Sequence, residues 1–251
     1  MLIINRQQQI LDILKRERSV SVPRLAKELF ASEPTIRRDL AYLEKKGFLK
    51  RVYGGAVLGG APDREIPYEV RTGEQEDAKA IIARRAAGFL HKGDVVFLDG
   101  SSTVLFLADL LASVNGITVI TNGIDVMSCL SNYDVRAYCT GGAKSKDNEA
   151  VLVGDYTQRF LRDIRADVAI FSVQSMNDAG DCFDCYAEEV AVRKVMLQNA
   201  RKKILLCDSS KWNRPSTFYQ CSAADVDYIV CDKELNTFFK DPTPEKYVLA
   251  E

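Results

Sequence analysis

The sequence holds a single histidine, His91, in 251 residues. It carries one C-x-x-C, Cys182–Cys185, and no second pair to complete the four ligands of a structural zinc. No metal and no cofactor are therefore expected. No apolar run approaches the roughly 20 residues of a membrane-spanning helix. The opening MLIINRQQQI lacks the extended apolar segment and small-residue cleavage site of a secretory signal. A cytoplasmic protein with no membrane contact is expected. Long low-complexity tracts are absent, which argues against disorder. There is no G-x-G-x-x-G after a strand pattern and no G-x-x-x-x-G-K-[ST], so neither a dinucleotide nor a nucleoside triphosphate is indicated. The cysteines number seven (Cys129, Cys139, Cys182, Cys185, Cys207, Cys221 and Cys231), odd and scattered. That pattern does not make a disulfide framework. Cys207 in KILLCD and Cys231 in DYIVCD read as buried free thiols.

What is present is a chain with 47% hydrophobic residues, enough for a sizeable core. Its length suits one large domain, or a small domain joined to a larger one. The net charge of −1 hides an asymmetry: residues 1–60 carry 12 Lys+Arg against 6 acids, so the remainder stands at −7. A basic head on an acidic body points to a polyanion that meets the head alone.

Three helices are expected in that head. The first covers about Asn5 to Arg16, with Ile10, Leu11, Ile13 and Leu14 on one face. The second starts near Ser21, with Pro23 in its first turn. After the turn FAS, Ser32 caps a third helix opened by Pro34 and Thr35 and closed by Lys45, Lys46 and Gly47. Ile36, Leu40 and Leu43 face inward at spacings of four and three, which leaves Thr35, Arg37 and Arg38 outward near the helix start. Two short helices, a tight turn and a basic third helix describe a helix-turn-helix, whose third helix presents its first residues to base edges in the major groove. Arginine suits this work through bidentate contact with guanine and its grip on phosphate. FLKRVYGGAVL then reads as a β wing, with Lys50 and Arg51 placed for the DNA backbone.

The stretch RQQQILDILKRERSVSVPRLAKELFASEPTIRRDLAYLEKKGFLKRVYGGAVL, residues 6–58, resembles the winged helix-turn-helix of the DeoR family of bacterial transcription regulators. TIRRDL and the GGA of the wing carry the resemblance. Tyr53 stands where that family usually has histidine.

Residues 59–73 read as a linker with a docking segment, rich in Gly, Pro and charge. From residue 74 to 251, short Val/Ile/Leu runs (DVVFLDG, ITVITN, VRAYCTGG, DVAIFSV, KKILLCDSS, VDYIVCD) alternate with amphipathic helices. The expectation is an α/β domain with a mainly parallel sheet. Ligands of such sheets bind where strand ends lead into helices. Four of those loops are polar: LDGSST, TNG, CTGGAKSKDNE and CDSSKW. They supply hydroxyls, glycines and the cations Lys144, Lys146 and Lys211, which suits an anionic small molecule.

The same loops, with VGDY and EEVAVRKVML, are similar to the DeoR effector domain. That domain resembles ribose-5-phosphate isomerase in fold and usually senses a phosphorylated sugar or related metabolite. The resemblance implies that Asp99, Gly100, Ser101, Ser102 and Thr103 hold phosphate, with Lys211 facing the ligand. It further implies that Thr121, Asn122, Gly141 and Gly142 line the sugar, and that Glu189 stands near the isomerases' catalytic carboxylate. FSVQSMNDAGDCFDC departs from the family pattern, which has a glycine near Val173–Gln174. A sugar-phosphate isomerase, with Glu189 as base and Lys211 beside an enediolate, is the rival reading; the amino-terminal module argues for sensing. The expected partners are a double-stranded DNA operator, a phosphorylated sugar effector and further copies of the chain, as dimer or tetramer.

Overall fold

The structure is a computed structural model that describes residues 3–17, 19–45, 48–58, 68–234 and 246–250. The chain divides into two compact units, residues 1–74 and 75–251.

In the first unit, α1 (Ile3–Glu17), α2 (Val22–Glu28) and α3 (Glu33–Lys45) enclose Ile10, Leu14, Leu25, Ile36, Leu40 and Leu43, each no more than 1% exposed. The apolar spacing of the sequence therefore lands on the core as expected. The wing strands β2 (Leu49–Val52) and β3 (Gly55–Leu58) pair antiparallel. A third strand, β1 (Ser19–Ser21), adds to the far side of β3. Its three residues carry no periodicity of their own, and pairing with the wing makes them a strand. Lys46 and Gly47, expected to close α3, lie outside the described residues. So do residues 59–67 of the expected linker. A helical turn, α4 (Tyr68–Thr72), follows and packs against α1 with Tyr68 buried.

The second unit is built on a seven-stranded parallel sheet. Chain order runs α5 (Glu76–Ala87), β4 (Val95–Leu98), α6 (Ser102–Ala108), β5 (Thr118–Thr121), α7 (Ile124–Leu130), β6 (Arg136–Cys139), then a hairpin of β7 (Ala143–Lys144) and β8 (Leu152–Val153). It continues through α8 (Asp155–Arg162), β9 (Ala166–Ser172), β10 (Ser175–Met176), β11 (Asp181–Asp184), α9 (Ala187–Gln198), β12 (Ala200–Leu206), β13 (Phe218–Ser222), β14 (Tyr228–Cys231) and β15 (Tyr247–Leu249). The main sheet has the order β15-β14-β12-β9-β4-β5-β6, with every pairing parallel. Alternate residues feed two cores: Val96, Leu98 and Ile170 face α5, α6 and α7, while Phe97 and Phe171 face the side of α8 and α9. Burial on both faces explains why the strands read as unbroken apolar runs.

The apolar spacing of SSTVLFLADLLASV suits one continuous helix, but α6 stops at Ala108 and the stretch resumes as a single 3-10 turn, Leu111–Ser113. A separate antiparallel sheet, β10-β11-β13, was not legible in the sequence.

Candidate functional site

In the first unit, Ser32 Oγ accepts from the Thr35 N–H at 3.4 Å and lies 2.8 Å from Thr35 Oγ1, so the cap sits where the sequence puts it. Ile36, Leu40 and Leu43 anchor α3 inward, and Arg37 and Arg38 are exposed. Arg37 Nη2 donates to Glu33 Oε2 at 3.1 Å along the helix surface. Arg38 has no ion-pair partner among the described residues. Lys50 and Tyr53 are exposed on the wing. Arg51 is tied back to α3: its Nε donates to Glu44 Oε2 at 2.6 Å and its N–H to Glu44 Oε1 at 2.8 Å. That clamp lowers the Glu44 pKa, first through the Arg51 side chain and then through its backbone N–H.

Two residues of this unit escaped the sequence reading. Asp39, in TIRRDL, is 3% exposed. Its Oδ2 accepts from Arg6 Nε at 2.6 Å and its Oδ1 from Gln7 Nε2 at 3.2 Å, which fastens α3 to α1. Phe30, in the turn between α2 and α3, is 93% exposed at a φ of +50°.

In the second unit, the carboxyl ends of neighbouring strands converge. Lys211, following β12, donates from Nζ to Ser172 Oγ at the end of β9 (2.5 Å) and to Thr103 Oγ1 after β4 (3.3 Å). Asp208 Oδ2 lies 3.6 Å from the same ammonium. Burial alone would raise the Asp208 pKa. Lys211, the Ser210 hydroxyl and the buried Lys79 of α5 outweigh it and hold the carboxyl below its ordinary value. Burial also pushes the adjacent Cys207 thiol up to about 12, so it stays protonated.

The loop after β4 is held rigidly. Asp99 is fully buried; Oδ1 accepts from the Ser101 N–H at 3.1 Å, and Oδ2 from the Ser172 N–H at 3.3 Å and Arg193 Nε at 2.7 Å. Asp99 thus organises the loop from inside, and a carboxylate so placed repels an anion. Ser101 Oγ accepts from the Val104 N–H at 3.3 Å and caps α6. Gly100 meets Gly123 of the loop after β5 so closely that a Cβ on Gly100 would lie 2.9 Å from the Gly123 Cα. Thr121 Oγ1 accepts from the Gly123 N–H at 2.9 Å. Asn122 is 3% exposed; its Nδ2 donates to the Leu152 carbonyl, and its Oδ1 has no hydrogen-bond partner among the described residues. At Gly142, with φ +113°, a Cβ would lie 2.2 Å from Thr157 Oγ1, so α8 and this loop interlock only around glycine. Lys144 stands apart, exposed on its hairpin and paired with Glu149 at 3.2 Å.

Glu189 belongs to a cluster that the sequence did not disclose. Arg193, on the same face of α9, is buried among three carboxylates: Asp99 (2.7 Å), Asp184 (2.5 Å) and Glu189 (2.8 Å). Gln220 Oε1 accepts from its Nη1 at 3.2 Å. Burial would lower the arginine pKa; the three carboxylates outweigh it and hold the guanidinium charged. The spacing of four between Glu189 and Arg193 was the one available signal. A cleft of about 560 Å³ opens at the opposite, amino ends of the strands beside His91, Asp94, Asp167, Arg201, Asp227 and Lys246. Its aspartates are spent on backbone N–H groups of His91, Val95 and Lys203.

Among the described residues no helix is long and apolar enough to cross a membrane, and no group of His, Cys, Asp or Glu is placed to hold a metal ion.

Comparison with known proteins agrees with this division. Residues 6–59 match the DeoR-like helix-turn-helix domain and residues 74–233 the DeoR C terminal sensor domain. The transcriptional repressor AccR of Agrobacterium fabrum is 30% identical over 96% of this chain and 94% of its own. The transcriptional repressor GlcR of Bacillus subtilis is 31% identical over 92% of this chain and 89% of its own. A solved ribose-5-phosphate isomerase from Methanocaldococcus jannaschii is similar at 16% identity and a TM-score of 0.43, covering 56% of each chain. At that distance the likeness does not extend to activity. With both of its units matched in order, the chain belongs to the DeoR family and is a DNA-binding transcription regulator, not an enzyme.

Proposed function

We propose that the protein is a repressor released from, or locked onto, its operator by a phosphorylated sugar bound at the carboxyl ends of β4, β9 and β12. One observation carries the reading: the Lys211 ammonium, 13% exposed, meets the hydroxyls of Thr103 and Ser172 where three strands end. A cation among hydroxyls beside a helix start suits a phosphate monoester. Ser101, Ser102 and Thr103, with the amides of that loop, supply the remaining donors. Thr121, Asn122, Gly141 and Gly142 line the sugar, and the Asn122 Oδ1 is an acceptor for one of its hydroxyls. Asp99 and Glu189 act through Arg193 and shape the floor; Lys144 is left out of the set. The repressor names of AccR and GlcR support the sign of regulation.

On the DNA side, Thr35, Arg37 and Arg38 enter the major groove, while Ser32, Lys50, Arg51 and Tyr53 meet the backbone. A thermal-shift screen of the full chain against aldose and ketose phosphates tests the ligand assignment. A ligand at about 100 times its Kd stabilises the native state by about 2.7 kcal/mol. The expected result is a shift with one sugar phosphate, absent with the free sugar and absent in Lys211→Met. A full shift in Lys211→Met places the ligand elsewhere.

A further inference from the structure

β6 is an edge of the main sheet, hydrogen-bonded among the described strands to β5 alone. Proteins usually guard such an edge with proline, a bulge or several charges. β6 has none of these beyond Arg136: its sequence is RAYC, and its register with β5 is regular. Arg136, Tyr138 and Cys139 are all exposed.

The apolar surface around this edge is concentrated on one side. Tyr138 pairs with Ile120, which belongs to the core on the side of α8, so Tyr138 faces that side too. Tyr138 is nevertheless 48% exposed. On α8, Tyr156 and Phe160 are 79% and 37% exposed at a spacing of four. Thr157 Oγ1 donates to the Gly141 carbonyl at 2.7 Å, so the start of α8 is fastened just beyond the end of β6.

We propose that this edge is the contact between two copies of the chain, formed by antiparallel pairing of β6 with β6 about a two-fold axis through Ala137. The Thr140 N–H donates to the Thr121 carbonyl of the β5 side. By the alternation of a strand, Tyr138 and Arg136 also turn their polar backbone groups to β5, and Val135, Ala137 and Cys139 turn theirs outward. A two-fold axis normal to the sheet keeps each residue on its own face, so only registers centred on a residue are allowed. Centring on Arg136 sets two arginines against each other, and centring on Tyr138 sets each Arg136 opposite Thr140, with no ring beneath it. Centring on Ala137 sets each Arg136 opposite Tyr138 of the second copy, in the closer, non-hydrogen-bonded kind of pair, where a guanidinium lies over a ring. The same register places Ala137 opposite itself and Val135 opposite Cys139, which engages the outward backbone groups. Self-complementarity of charge and ring thus selects a second copy as the occupant.

The test is the mass of the full chain at low micromolar concentration, by sedimentation or light scattering, with thermal unfolding read in parallel. Tyr138→Arg sets like charges against Arg136 and is expected to halve the mass while the chain still unfolds cooperatively on heating, with its melting temperature lowered by no more than the lost association accounts for. The double variant Arg136→Glu/Tyr138→Arg puts opposite charges across each pair and is expected to restore it. Tyr138→Ser, which removes the ring without adding charge, serves if Tyr138→Arg does not fold, and lowers the share of the larger species. A parent chain of single-chain mass, or substituted chains of parental mass, overturns the proposal. A double variant that stays at half mass overturns the register and the proposal with it.

Discussion

Lys211 Nζ lies 3.3 Å from Thr103 Oγ1, although 108 residues separate the two in sequence. In the sheet order, β9 runs between the strands that carry them, and Ser172 at its end accepts from the same ammonium at 2.5 Å. The lysine therefore spans three strand ends and depends on its counter-ion to stay placed. Asp208, at 3.6 Å, is that counter-ion.

The first prediction concerns pH. The Asp208 carboxyl is held below its ordinary value by Lys211, Ser210 and Lys79 against its burial. A carboxyl with a depressed folded pKa stabilises the native state above its unfolded value, about 3.9. That contribution disappears as pH falls through the folded value. Asp208→Asn is therefore expected to be less stable than the parent at neutral pH. The difference shrinks below about pH 4, where the unfolded carboxyl protonates. Urea midpoints of both chains between neutral and acid pH check it; a difference that grows toward acid contradicts the assignment.

The second concerns Arg193. Removing the guanidinium leaves Asp99, Asp184 and Glu189 buried without their shared partner. Losing one side of a buried ion pair costs about 3–5 kcal/mol. Arg193→Met is expected to lose at least that much in urea unfolding. Arg193→Lys keeps the charge but not the fork, and should lose less. Equal stability of Arg193→Met and the parent would deny the cluster its structural role.

The third separates scaffold from contact in the DNA-binding unit. Asp39→Ala breaks the Arg6–Asp39 pair, whose side chains are 11% and 4% exposed, and should destabilise that unit by about 3–5 kcal/mol. Arg38→Ala touches nothing buried. Its effect on stability should stay within about 0.5 kcal/mol, while DNA affinity falls by about 1–3 kcal/mol. Calorimetry and fluorescence anisotropy on the same preparations distinguish the two; an Arg38→Ala chain with parental affinity removes α3 from the groove.

The fourth concerns salt. Affinity that rests on phosphate contacts falls linearly in log–log form with salt, at a slope of about −0.9 per contact. Lys50→Ala is expected to flatten that slope by about one contact while leaving sequence preference intact. An unchanged slope would take the wing off the DNA backbone.

The alternation of helix and strand was legible because buried parallel strands and amphipathic helices write different periods into the chain. Ile36, Leu40 and Leu43 could be assigned to the core, and Arg37 and Arg38 to the surface, on spacing alone. Lys211 and the loop after β4 were legible as strand-end polar loops, though not as neighbours. Asp39 and Arg193 were not legible, because a buried charge looks like a surface charge until its partners fold around it. The sheet β10-β11-β13 was missed for a related reason: Ser175–Met176 and Asp181–Asp184 are too short to show a period, and pairing with β13 makes them strands.

The most direct test of the account is operator binding by the full chain, with DNA from its own promoter region, with and without each of a panel of sugar phosphates, for the parent and for Lys211→Met. The account predicts that one sugar phosphate shifts the parent's DNA affinity by roughly 5- to 150-fold, and that Lys211→Met binds the same DNA as tightly as the parent but does not shift. A Lys211→Met chain that responds to the same compound to the same extent would contradict it.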